Sequence, residues 1–211
     1  MSQLSKARFH QILFSTPMVQ AIIEGRKTQT RRTKGLEHFN TNPSVFYSTG
    51  KRIHTLRPNK LTEVEYVINS ADGFENKVKC PYGQPGDVLW CKEKWLNRYP
   101  KQDDNDSSMY GYKADLQNPH PSLKWKASIH MPKAACRLFL QLKAVRVERL
   151  QDISRVDCMS EGCPFPNIAK ETDPKAFFSN LWKSINGPNS WKENPWVWVI
   201  EFERIEKPEN F

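Results

Sequence analysis

No stretch of this 211-residue chain is apolar over anything near the ~20 residues that cross a bilayer, so no membrane span is expected. The opening MSQLSKARFHQ lacks the apolar core of a secretory signal, and the expectation is a cytoplasmic protein. Cysteine is sparse. The five residues (Cys80, Cys91, Cys136, Cys158 and Cys163) form an odd count with no CxxC pair, which argues against a disulfide framework and a structural zinc site. Cys158 and Cys163 read instead as small core residues. Histidine is scattered, and His130, set between two apolar residues, reads as a satisfied structural side chain. There is no internal repeat and no low-complexity segment.

Hydrophobic residues make up 38% of the chain and aromatics 11%, enough for a packed core in a single domain spanning 1–211. The net charge of +9 favours a polyanionic partner, nucleic acid first. A basic surface kept for solubility is the competing reading.

STPMVQAIIEG reads as a helix, with Thr16 as cap, Pro17 in the first turn and Gly25 at the left-handed end. CPYGQPGDVLWCKEKW reads as a turn at Gly86-Asp87 running into a strand. RLFLQLKAVRVERL is a long strand whose alternation slips near Lys143-Ala144, which predicts a bulge. ISRVDCMSEG is a short helix with a Ser154–Asp157 capping box and a stop at Gly162. DPKAFFSNLWKSINGP is a second helix, with Phe177, Phe178, Leu181, Trp182 and Ile185 inward. PWVWVIEFERI is the last strand. Residues 33–79 and 97–122 lack a clear period and read as two surface insertions, with one strand, EVEYVIN, in the first. The expected class is α+β, a small barrel with attached helices.

Two features point to chemistry. GRKTQTRR, Gly25 to Arg32, packs four cations and two threonines behind a helix. A strip that only gripped phosphates would need no particular lysine or threonine. Glu161 closes the short helix, where the dipole opposes a carboxylate by roughly 0.3–1 kcal/mol if partly shielded. It is either exposed and screened, or placed there to work. Trp182, Trp196 and Trp198 fall at core spacing. Tyr82 and Trp95, beside the turn, are better candidates for stacking on a base; Trp125 stays open.

Taken together, ILFSTPMVQAIIEGRKTQTRR, CPYGQPGDVLWCKEKW, SIHMP, VRVERLQDIS with its following EG, and NPWVWVIEF resemble the ASCH-domain family, in particular a branch common in bacteriophages and prophages. The resemblance covers most of the chain outside 33–79 and 97–122. It implies a PUA-like small β-barrel with flanking helices, in the host bacterial cytoplasm if phage-encoded. It also implies the activity of the family's small bacterial N4-acetylcytidine amidohydrolase, whose Lys, Thr and Glu fall on Lys27, Thr30 and Glu161. Thr30 would attack the acyl carbonyl, Lys27 would act as base, and Glu161 would be the acid or orienter. Like charge from Arg26, Arg31 and Arg32, with burial, would lower the Lys27 pKa. Arg26, Arg32, Glu93, Trp95 and Tyr82 are the expected substrate contacts. No metal or organic cofactor is implied, and the partner is a modified nucleoside or RNA. Because other members bind or cleave RNA, a non-catalytic reader of RNA or modified bases and a metal-independent ribonuclease stand as alternatives. Lys27 and Thr30 would point to opposite faces of a regular strand, so they converge only if Lys27 lies in the turn before it.

Overall fold

The computed structural model describes residues 7–55, 63–97, 110–164 and 173–211. The chain is α+β and rich in strand. Its elements run β1 (Phe9–Leu13), α1 (Thr16–Ile23), β2 (Gln29–Arg32), α2 (Glu37–Thr41), β3 (Phe46–Tyr47), β4 (Arg52–Thr55), β5 (Glu63–Ser70) and β6 (Glu75–Val78). They continue with β7 (Val88–Lys92), β8 (Trp95–Asn97), β9 (Tyr110–Tyr112), β10 (Phe139–Arg149), α3 (Arg155–Ser160), α4 (Pro174–Asn186) and β11 (Trp196–Ile205).

The main sheet has the order β1-β7-β10-β11-β2, with β1 and β7 parallel and its other pairs antiparallel. Its ends, β1 and β2, do not pair, so among the described residues the sheet stays open where a closed barrel was expected. The expected phase slip is present: the β10–β11 register shifts between Leu142 and Ala144. The shift lets Leu140 and Leu142 share one core with Val145 and Val147 despite their opposite parity.

The segment expected to be one strand from Val88 to Trp95 breaks at Glu93-Lys94 into β7 and β8. The turn before it is fixed by Asp87, whose buried carboxylate accepts from Gln84 N at 3.0 Å and Arg8 N at 3.2 Å. Helix α1 starts without the expected Thr16 cap. Ser15 holds the cap position, and its side chain makes no capping bond.

The stretch 33–79 departs furthest from expectation. It is not a surface appendage. It folds into a second sheet, β3-β5-β4 with β6 on β5, and sends Leu36, Phe39, Tyr66 and Ile68 into the main core. Tyr66 meets Trp198 edge to face at 5.1 Å. The absence of a helical or alternating period over 33–55 reflects short pieces whose apolar anchors come singly. In the other expected insertion, β9 pairs with β8, while 98–109 lies outside the described residues.

Cys158 and Cys163 are buried as expected, and so are Trp196 and Trp198. His130 is exposed on a short 3-10 turn rather than satisfied in the core, because its apolar neighbour Met131 takes the inward position. Ile185 also lies at the surface, at the C-terminal end of α4. No helix among the described residues is long and apolar enough to cross a membrane.

Candidate functional site

Lys27 precedes β2 in the turn that follows α1, which meets the condition for it to approach Thr30. Gly25 has φ +75°, and the next two amides, Arg26 N and Lys27 N, both donate to Ala21 O at 2.9 and 3.0 Å. This reversal turns the chain against the C-terminal end of α3. Thr28 N donates to Ser160 O at 2.8 Å, Lys27 and Glu161 form an isolated bridge, and Arg26 Nη1 donates to Gly162 O at 2.8 Å.

Helix α3 has only six residues and is fixed by the expected capping box, with Asp157 N donating to Ser154 Oγ at 3.0 Å. It stops at Gly162, φ +97°, where an added Cβ would lie 3.0 Å from Ala21 Cβ and 3.2 Å from Lys27 Cβ. Both the left-handed backbone and the close approach disfavour a side chain. Gly162→Ala is therefore expected to destabilise the fold by roughly 1–3 kcal/mol, read as a lowered denaturation midpoint. An unchanged midpoint would mean that this junction is loose.

Glu161 is not exposed and screened. It is 4% exposed, and its carboxylate sits between two cations. Lys27 Nζ donates to Oε2 at 2.7 Å and Arg31 Nη1 to Oε1 at 3.1 Å. The unfavourable end of the helix dipole is thus offset by two charge-assisted hydrogen bonds in a desolvated setting. Lys27 Nζ also donates to Gln29 O at 2.8 Å and Glu161 O at 3.0 Å, so all three ammonium protons are engaged. None of them reaches Thr30 Oγ1. Burial pushes the Lys27 pKa down, Glu161 opposes that shift, and Arg32 and Arg31 add to it. Arg26, expected to share in this crowding, plays no part in it because it is turned to Glu24 at 2.5 Å.

Arg31 is wholly enclosed and also pairs with Glu148 at 2.5 Å and Asp157 at 3.3 Å. From the sequence alone Arg31 is only a like charge near Lys27. Its spacing to three separate acids, on β10 and α3, exists only in the fold.

Glu161 and Thr30 line a pocket with a cavity volume of about 110 Å³ that opens at its mouth to solvent. Edge strand β2 supplies Thr30, Arg31 and Arg32 to it, and the turn before Gly86 supplies Tyr82. The opposite wall is α4, through Phe178, Leu181, Trp182 and Ile185. Burial pushes the Tyr82 phenol up, with Arg32 opposing, so it keeps its proton at neutral pH. Of the expected contacts, Arg32 and Tyr82 line this pocket together with Thr30 and Glu161.

Arg26, Glu93 and Trp95 do not line it. Arg26 braces the α1–α3 junction. Glu93 is 1% exposed and held by Arg137, whose Nε and Nη2 lie 2.9 and 3.0 Å from its two oxygens. Trp95 is packed against Tyr110 in a separate core beneath β8 and β9, with Lys126 over its ring. The break at Glu93-Lys94 carries both residues away from the pocket. The period of α4 alone predicts a purely core-facing wall. Trp182 is in fact both, since it packs on Phe178 and borders the pocket.

No family model, no curated protein and no solved structure matches this chain.

Proposed function

We propose that the protein is a cytoplasmic amidohydrolase on a PUA-like fold of the ASCH type, removing the acyl group from N4-acetylcytidine or a related modified nucleoside. The observation that carries this reading is the buried Lys27–Glu161–Arg31 cluster opening, through Glu161 and Thr30, onto one half-apolar pocket. The α4 wall suits the flat face of a base, and a carboxylate is the side chain that accepts from a cytosine exocyclic amine.

In the proposed reaction the Thr30 hydroxyl attacks the acyl carbonyl and its proton passes to a base. The acyl C–N4 bond breaks as the proton taken from Thr30 is relayed from the protonated base through Glu161 to the departing amine. Water then cleaves the threonyl ester, releasing acetate. Lys27 can serve as base only after giving up one of its three hydrogen bonds, and its burial favours that loss. Arg32 or backbone N–H groups supply positive potential for the oxyanion.

Incubation with N4-acetylcytidine, followed by chromatography for cytidine and acetate, is expected to show enzyme-dependent release of both. Absence of release at high enzyme concentration would sink the hydrolase reading.

One observation favours a second reading, a non-catalytic reader of the same modified base. The Lys27 ammonium is saturated and makes no bond to Thr30, an arrangement that serves to hold Glu161 still. That reading expects binding of N4-acetylcytidine without turnover.

A further inference from the structure

The five cations between Arg26 and Lys34 do not share one fate. Arg26 is paired with Glu24, Lys27 with Glu161, and Arg31 with three acids. Arg32 and Lys34 form no ion pair among the described residues, and both line the pocket. Arg32 is stacked on Phe14, its Cζ 5.3 Å from the ring centre, and spends one N–H on Leu13 O at 2.8 Å. The rest of its fork has no acceptor among the described residues.

Two residues that line the same space each keep one enclosed donor, out of contact with the pocket itself. Trp182 Nε1 and Arg31 Nε are buried and without a hydrogen-bond partner. Glu161 is the one carboxylate among the described lining residues, and both its oxygens already accept from cations. The pocket therefore combines two cations that form no ion pair among the described residues with an apolar wall. A neutral nucleoside supplies the flat apolar part and leaves the charge unanswered. The unspent part of the Arg32 fork and the Lys34 ammonium favour a ligand rich in acceptor oxygens.

We propose that the ligand of this pocket carries a phosphate, seated on Arg32 and Lys34 with its base against α4, so that the substrate class is a pyrimidine nucleotide rather than a free nucleoside. This rests on reading the pocket as a base-binding site, and the phosphate comes either from a free nucleotide or from a strand. Fork-shaped guanidinium and a flexible ammonium are a common pairing for phosphate oxygens.

The test is calorimetric binding at low salt of three unacylated ligands: cytidine, cytidine 5′-monophosphate and a cytidine dinucleotide with no terminal phosphate. At least one phosphate-bearing ligand is expected to bind about tenfold or more tighter than cytidine, the scale of one charged hydrogen bond. That advantage should shrink as salt rises. A preference for the monophosphate assigns a monoester, and one for the dinucleotide assigns a strand; either supports the proposal.

Arg32→Gln and Lys34→Gln should each lower the ratio of phosphorylated to unphosphorylated affinity severalfold. Lys34 is exposed, so its variant reports even if loss of the Phe14 stack unfolds Arg32→Gln. Equal affinity for all three ligands, no binding of any of them, or a ratio untouched in Lys34→Gln and a folded Arg32→Gln overturns the proposal. None of these readouts depends on turnover. Deacylation without a phosphate preference removes this inference alone, and a preference without deacylation removes the hydrolase reading alone.

Discussion

Lys27→Met is expected to cost about 3 kcal/mol of stability, the lower end of the range for removing one partner of a buried ion pair. The side chain is enclosed, and its loss strands the Glu161 carboxylate together with two carbonyl oxygens, Gln29 O and Glu161 O. Arg31 still holds Oε1 at 3.1 Å, which keeps the loss from being larger. Adding Glu161→Leu should restore most of the stability, because a buried pair replaced by apolar groups is close to neutral. Arg31 then keeps Glu148 and Asp157. Urea titrations of the wild type, both single variants and the double variant measure the coupling. If Lys27→Met unfolds within about 0.5 kcal/mol of wild type, the range of an ordinary surface change, the pair is not desolvated in solution. The description of the site would then be wrong.

The second large effect is on turnover. Thr30→Ala removes the proposed nucleophile and little bulk from a position that is 1% exposed. Glu161→Gln keeps the shape while removing the acid. Each should lower deacylation of N4-acetylcytidine by at least about 100-fold, with the double variant little worse than either single one.

The pH profile separates the roles of Lys27. If it acts as base, the rate rises with pH through a Lys27 pKa that burial holds below the ordinary lysine value. If its ammonium only orients Glu161, the rate falls as pH climbs through that same value. Near-normal turnover in Thr30→Ala would transfer the attack to water and end the covalent mechanism, whatever the substrate.

Local order was legible wherever it depends on neighbours in sequence. The α3 capping box at Ser154 and Asp157, the stop at Gly162, the slip near Lys143-Ala144 and the buried Trp196 and Trp198 all come from short-range rules. Those rules act over four or five residues, so a sequence states them completely. The misfit of Glu161 was legible too, because a carboxylate at a helix C-terminus is disfavoured by the helix itself. What made it tolerable was not. That needed Lys27 from 134 residues away and Arg31 from 130, brought there by the Gly25 reversal and the edge position of β2.

The same limit explains the misses. Glu93 and Trp95 share a stretch with Tyr82 that looks continuous, yet a break of two residues sends them to another core. Residues 33–79 lack periodicity and so looked peripheral, but burial is decided by what packs against Trp198, not by period. The sequence by itself determined the capping, the bulge, the cation-rich segment and the residue types available for chemistry. Only the tertiary structure decided which cations are paired, that Glu161 is buried, and that Arg32 and Lys34 reach the pocket with no ion-pair partner among the described residues. Charge compensation and desolvation depend on distances between residues far apart along the chain, and those distances exist only once it has folded.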